Sequence, residues 1–152
     1  MKVGIFRTKL VREAYSQYNA REFKSSQDAK KACLELFQPI LKDCPQEQFW
    51  AVSLDVKNKI VGMHHVSTGM VNGTMAHPRE VFQGAILNSA VSVILVHNHP
   101  SGSTEPSRED IQTTRRMTEV GGLIGIEVAD HIIVAWDENG KGEALSLRES
   151  FM

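Results

Sequence analysis

Residues 91–110 read VSVILVHNHPSGSTEPSRED, and the rest of the chain is arranged around them. Val91 to Val96 is an apolar, β-branched run ended by polar residues, which predicts a buried strand. Side chains two apart on a strand share a face, so His97 and His99 point the same way, about 6.6 Å apart along the chain. Two imidazoles on one face can share one metal ion, each at about 2.0–2.1 Å from zinc. Pro100 has no backbone N–H, so the strand is expected to stop there. A loop bearing Gly, Ser and Pro follows, and Pro106-Ser107-Arg108-Glu109-Asp110 opens a helix. Asp110 falls in its first turn, within reach of both histidines. Two imidazoles and a carboxylate leave a fourth tetrahedral position for water, the pattern of a catalytic rather than a closed structural zinc site.

On the N-terminal side, residues 3–11 are expected to form an edge strand that can pair with another chain, and residues 12–25 a polar connection. Ser25-Ser26 can cap a helix in which Ala29, Ala32, Cys33, Leu36, Phe37, Ile40 and Leu41 recur at helical spacing. Pro39 predicts a kink or break near Gln38. Residues 49–56 and 60–66 read as hairpin strands around Lys57-Asn58-Lys59, and 68–75 as a loop. A second helix starts at His77-Pro78, burying Val81, Phe82, Ala85, Ile86 and Leu87. On the C-terminal side, a helix from Ser107 to about Val120 is expected to stop at Gly121-Gly122. Residues 124–128 and 131–136 read as strands around Ala129-Asp130. Asp137 to Gly140 is a hairpin turn and 143–147 a last strand. Strands and helices interleave, which predicts an α/β class with a mixed sheet and helices on its faces.

The composition is that of ordinary globular material: 152 residues, 41% hydrophobic, 23% charged. This suits one domain with a sizeable core. The net charge of -1 gives no electrostatic argument for nucleic acid or an anionic membrane. Cys33 and Cys44 are too few for a disulfide framework, and neither a bridge nor a metal pair is expected of them. The first residues carry charges inside every apolar cluster and no cleavable apolar core. No run approaches the roughly 18 apolar residues of a membrane span. A cytoplasmic location is therefore expected.

The bland reading of either histidine alone is a hydrogen-bonded, structural residue. The pair on one face, before Pro100 and a polar loop, favours metal, and the carboxyl end of a strand is where open α/β sheets keep their sites. The letters HNH are not an HNH nuclease, whose three residues are dispersed in a longer motif. The chain also lacks H-E-x-x-H, and H-x-E with P-C-x-x-C of the zinc deaminases. Ser107 and Asp110 also fit a capping box, and their spacing cannot separate that from metal ligation. Asp110 can bind metal while Ser107 caps, or Ser107 can point into the cavity.

His97-x-His99-Pro100, a short loop, then Pro106-Ser107-x-x-Asp110 resembles the motif of JAMM (MPN-type) metalloproteases. QEQFWAVSLDVKNKIVG, HPREVFQGAILNSA, the whole HNHPSGSTEPSRED and DHIIV at 130–134 resemble the RadC family within that group, over roughly residues 26–136. The resemblance implies a cytidine-deaminase-like three-layer αβα sandwich over 26–152, preceded by an N-terminal strand and connection over 1–25. It implies Zn2+ on His97, His99 and Asp110, with water as the fourth ligand. The family mechanism needs a glutamate acting on that water, since a carboxylate can take its proton and hand it to a leaving amine. Glu47, just ahead of the first hairpin, is preferred to Glu80. The plain alternatives are a solvated strand-end carboxylate and a first-turn helix acid. Ser107 matches the serine that stabilises the oxyanion. His131 matches a RadC position and is read as a core histidine or a partner of a ligand, and Asp130 as an orienting carboxylate. His64, His65 and His77 are expected to have no metal role, and Arg79 and Arg108 to be surface charge.

The expected function is a zinc-dependent hydrolase of peptide or isopeptide bonds with a peptide or protein substrate. The alternative is a non-catalytic protein of DNA repair or mobile-element biology that binds DNA or DNA-bound partners. Longer RadC proteins carry a helix-hairpin-helix module, for which the roughly 25 residues before the first core helix are too few. A DNA-binding role predicts a clustered basic face. Lys and Arg are instead scattered, with Lys30-Lys31 and Arg115-Arg116 the dense pairs. A salt-dependent DNA-binding assay separates the two readings.

Overall fold

A computed structural model describes residues 1–15, 23–69 and 76–151. The first helix, α1 (Ser26–Leu41), is capped by Ser25, whose hydroxyl accepts from the Asp28 N–H. Strands β1 (Gln48–Leu54) and β2 (Ile60–Thr68) follow. Their turn is held by the Asp55 carboxylate, which accepts from the Lys57 and Lys59 N–H groups. Helix α2 (Pro78–Leu87) places Pro78 in its first turn and is capped by the His77 ring. Strand β3 (Ser92–Asn98) is buried along its whole length. Helix α3 (Arg108–Ile124), strands β4 (Glu127–Trp136) and β5 (Gly142–Ser146) and the short helix α4 (Leu147–Phe151) complete the chain.

The strands form one sheet in the order β2-β1-β3-β4-β5. Only β3 and β4 run parallel; the other neighbours are antiparallel, so the sheet is mixed. Period-2 alternation sends successive residues to opposite layers. Val93 and Leu95 of β3 pack with Phe49, Val81, Phe82 and Met117 beneath α2 and α3. Ile94 and Val96 pack with Cys33, Leu36, Phe37 and Ile132 beneath α1. The molecule is thus an α/β, three-layer αβα sandwich, as expected, with β3 at its centre. The parity that buries Val93 and Leu95 continues into His97 and His99, placing both on the α2/α3 side.

Several expectations need correction. Residues 1–15 form no strand and are exposed, so the edge strand expected over 3–11 is absent. A strand without a paired neighbour has no ladder to hold it. Of the connection expected over 12–25, residues 16–22 lie outside the described residues, as do 70–75 of the loop expected over 68–75. Pro39 does not break α1. It falls in the last turn, and the Lys42 N–H still closes on the Gln38 carbonyl. Gly121-Gly122 does not stop α3, which ends at Gly125 in the left-handed region, φ 78°. Residues 124–128 and 131–136 are not two strands; the single strand β4 continues through Ala129-Asp130, with a register shift against β3 at Ala129.

Candidate metal centre

Strand β3 delivers His97, the turn after it delivers His99, and the first turn of α3 delivers Asp110. The His99 N–H bonds to the Val134 carbonyl at 3.0 Å, so pairing with β4 extends past the end of β3 and fixes His99. The three donor atoms converge. His97 Nε2 and His99 Nε2 are 3.0 Å apart. Asp110 Oδ1 lies 3.2 Å from His97 Nε2, and Oδ2 lies 3.2 Å from His99 Nε2. Ligands bound at 2.0–2.1 Å in a tetrahedron are about 3.3 Å apart, so this group fits a metal ion of zinc's size. His97 is fully buried and Asp110 nearly so.

Asp110 takes part in the helix cap and faces the two histidines at once. Ser107 and Asp110 form a capping box: Ser107 Oγ accepts from the Asp110 N–H at 3.0 Å, and Asp110 Oδ2 accepts from the Ser107 N–H at 2.8 Å. The cap locks the carboxylate's rotamer and aims it at the imidazoles. Ser107 therefore caps the helix with its oxygen, and its own hydroxyl hydrogen is left to donate.

The electrostatics follow. Burial works against the charge of Asp110, but the two imidazoles and the Ser107 N–H hold its carboxyl well below the usual carboxylate range. Burial likewise opposes charge on His99. The Asp110 carboxylate, the Ser103 carbonyl on Nδ1 and the charge of Glu47 outweigh it and raise the proton affinity. Glu47 stands immediately before β1, near enough for its charge to act on His99. Glu80 is exposed in the first turn of α2. Arg79 and Arg108 are exposed as well.

His131 is neither an isolated core histidine nor remote from the site. Its Nε2 is 2.7 Å from His97 Nδ1, and its Nδ1 is 2.6 Å from Thr114 Oγ1. Burial, with His97 beside it, pushes its proton affinity well below the ordinary imidazole value. Phe49 closes the apolar side, stacked on His97 at 6.0 Å between centroids and edge-on to His131 at 5.4 Å. Asp130 does not orient a ligand. As the strand neighbour of His131 it faces the opposite layer, where it accepts from the Ser146 hydroxyl and the Arg148 N–H. His64 packs against Asn88, His65 stacks on Trp50 at 5.0 Å, and His77 caps α2.

Sequence reasoning missed two residues. Asn98, between the two histidines but on the other face, accepts from the Gln48 N–H at 2.7 Å and donates to the Gln46 carbonyl at 3.1 Å. The Gly69 N–H bonds to the Glu47 carbonyl at 2.7 Å. Together these contacts pin the backbone on both sides of Glu47. Thr114, the other, lies one turn after Asp110 on the same helix face, a spacing visible in the sequence; its link to His131 is not.

The RadC-like JAB domain family matches residues 24–151. A UPF0758 protein of Caldanaerobacter subterraneus is 46% identical over 116 residues, covering 76% of this chain and 48% of its own length. One from Finegoldia magna is 47% identical over 115 residues, covering 76% of this chain and 49% of its own. One from Geotalea uraniireducens is 43% identical over 136 residues, covering 88% and 58% respectively. The chain spans about half the length of the curated relatives it matches. Among the described residues no helix is long and apolar enough to cross a membrane. With a family match over nearly all of the described core, and the histidines and aspartate gathered at one point, this chain belongs to the RadC-like JAB domain family.

Proposed function

We propose that this chain is a zinc-dependent hydrolase of peptide or isopeptide bonds. One observation carries the reading: His97 Nε2, His99 Nε2 and the Asp110 carboxylate converge at 3.0–3.2 Å, at the carboxyl end of a buried strand. The fold and family support a JAMM-type arrangement. Zinc held by these three residues would, when bound, activate a water molecule and polarise a substrate carbonyl. Glu47 would take a proton from a water held there and pass it to the departing amine. Ser107, its oxygen already committed to the helix cap, donates its hydroxyl hydrogen to the oxyanion. Phe49 and the buried β3 end keep bulk water away from the His97 imidazole, which strengthens the interactions it makes. The substrate is a peptide or protein, and two unpaired thiols suit a reducing cytoplasm.

Metal analysis of untagged protein tests the reading, with His97→Ala/His99→Ala as the control. The expected result is about one zinc per chain, absent from the double variant. Glu47→Gln should keep the zinc and lose cleavage of a peptide library by about 10²-fold or more. Wild-type protein that is metal-free and fails to take up added zinc overturns the proposal.

A further inference from the structure

The contacts behind His97 have a direction, which can be worked out atom by atom. Thr114 Oγ1 lies 2.7 Å from the Asp110 backbone carbonyl. Two oxygens that close repel unless a proton lies between them, and a carbonyl only accepts. The Thr114 hydroxyl hydrogen therefore goes to Asp110 O. Oγ1 also lies 2.6 Å from His131 Nδ1 and has no second hydrogen, so Nδ1 must carry one and donate. A neutral imidazole carries one N–H, which leaves His131 Nε2 bare. The 2.7 Å contact to His97 then requires a hydrogen on His97 Nδ1, and His97 Nε2 is left with its lone pair facing His99 and Asp110. His99 is oriented separately, because its Nδ1 donates to the Ser103 carbonyl at 2.8 Å and turns Nε2 towards the same point.

We infer that Thr114 and His131 are positioning residues: a one-way hydrogen-bond relay, started by the Asp110 backbone carbonyl, locks His97 in the tautomer that binds metal through Nε2. The relay begins on one ligand residue and ends on another, so seating α3 sets Asp110 and His97 together. It leaves His97 Nε2 as an acceptor 3.0 Å from His99 Nε2, a gap that a proton on His99 fills in the metal-free protein and a cation can take over. The site is thus shaped for its ion before the ion arrives. The inference rests on the metal reading above for its purpose, but not for its geometry.

The test is the tautomeric state of the histidine rings by long-range 1H–15N correlation NMR on chelator-treated protein. In the wild type His97 and His131 should both appear protonated at Nδ1 and bare at Nε2. Thr114→Val, which keeps the shape and removes the hydroxyl, should lose the single His97 tautomer and weaken zinc binding about 10-fold or more in a chelator competition. Thr114→Ser should restore both. His97 protonated at Nε2 in the metal-free wild type overturns the relay. So does a folded Thr114→Val protein with unchanged tautomer and affinity. The expected tautomers in a protein that binds no zinc uphold the relay and sink only the hydrolase reading.

Discussion

Asn98 shows how one side chain can serve a site it does not enter. His97 and His99 turn to the α2/α3 side, and the residue between them must turn the other way. There the Asn98 amide takes the place of a strand partner for the entry to β1, satisfying Gln48 N–H and Gln46 C=O. Both backbone groups lie at the margin of the core, and Asn98 itself is buried. Asn98→Ala is expected to destabilise the fold by about 1–3 kcal/mol, the cost of leaving such groups unpaired. Zinc stoichiometry should persist, because neither ligand imidazole is touched. Urea unfolding midpoints and metal analysis on one preparation check both parts. An Asn98→Ala protein as stable as the wild type would show that water replaces the amide at no cost. Cys33 makes a contrasting case. Burial, with Asp130 nearby, pushes its thiol far up, so it belongs to the α1 core and is chemically quiet.

At the scale of the element, α3 carries Asp110 and Thr114, and its length is set by packing rather than local propensity. Two glycines in its last turns read as a stop, yet the helix continues through them. Gly121 is there for contact. A Cβ on it would sit 2.4 Å from the Ile126 carbonyl oxygen and 3.3 Å from the Phe82 ring, where α3 turns back into β4 beside α2. Gly122 faces open space. The neighbours should therefore respond oppositely to alanine. Gly121→Ala is expected to cost about 1–3 kcal/mol through overpacking against backbone. Gly122→Ala should stabilise by about 0.5–1 kcal/mol through helix propensity. Chemical denaturation of the two variants beside wild type decides it, and equal effects would remove the packing explanation. The capping box at the other end ties the same helix to the candidate metal centre, since the contact that starts α3 also aims Asp110 at the histidines.

At the scale of the molecule, two apolar layers hold the sheet from either side, and the site lies where β3 emerges from both. Its three metal-facing residues come from a strand, a turn and a helix, so the cation would tie separate elements together. Zinc is expected to stabilise the folded state by about 2.7 kcal/mol at a free concentration of 100 times Kd, roughly 5–10 °C in Tm for a domain of this size. Melting curves with zinc and with chelator check this. His97→Ala/His99→Ala should melt at one temperature in both, and a wild type indifferent to zinc would count against a site joining these elements. The α/β class, the buried central strand, the shared face of His97 and His99 and the helix start at Ser107 were legible in the sequence, because period-2 alternation, apolar runs and caps act over a few residues. The separation of Asp130 from His131 followed from the same alternation, but only once β4 was known to be one unbroken strand. Other features belong to tertiary structure alone: the relay from Thr114 through His131 to His97, the Asn98 clamp beside Glu47, and Gly121 as a contact rather than a stop. Each joins atoms distant in the chain or depends on how closely two elements approach, and neither spacing nor propensity encodes that distance.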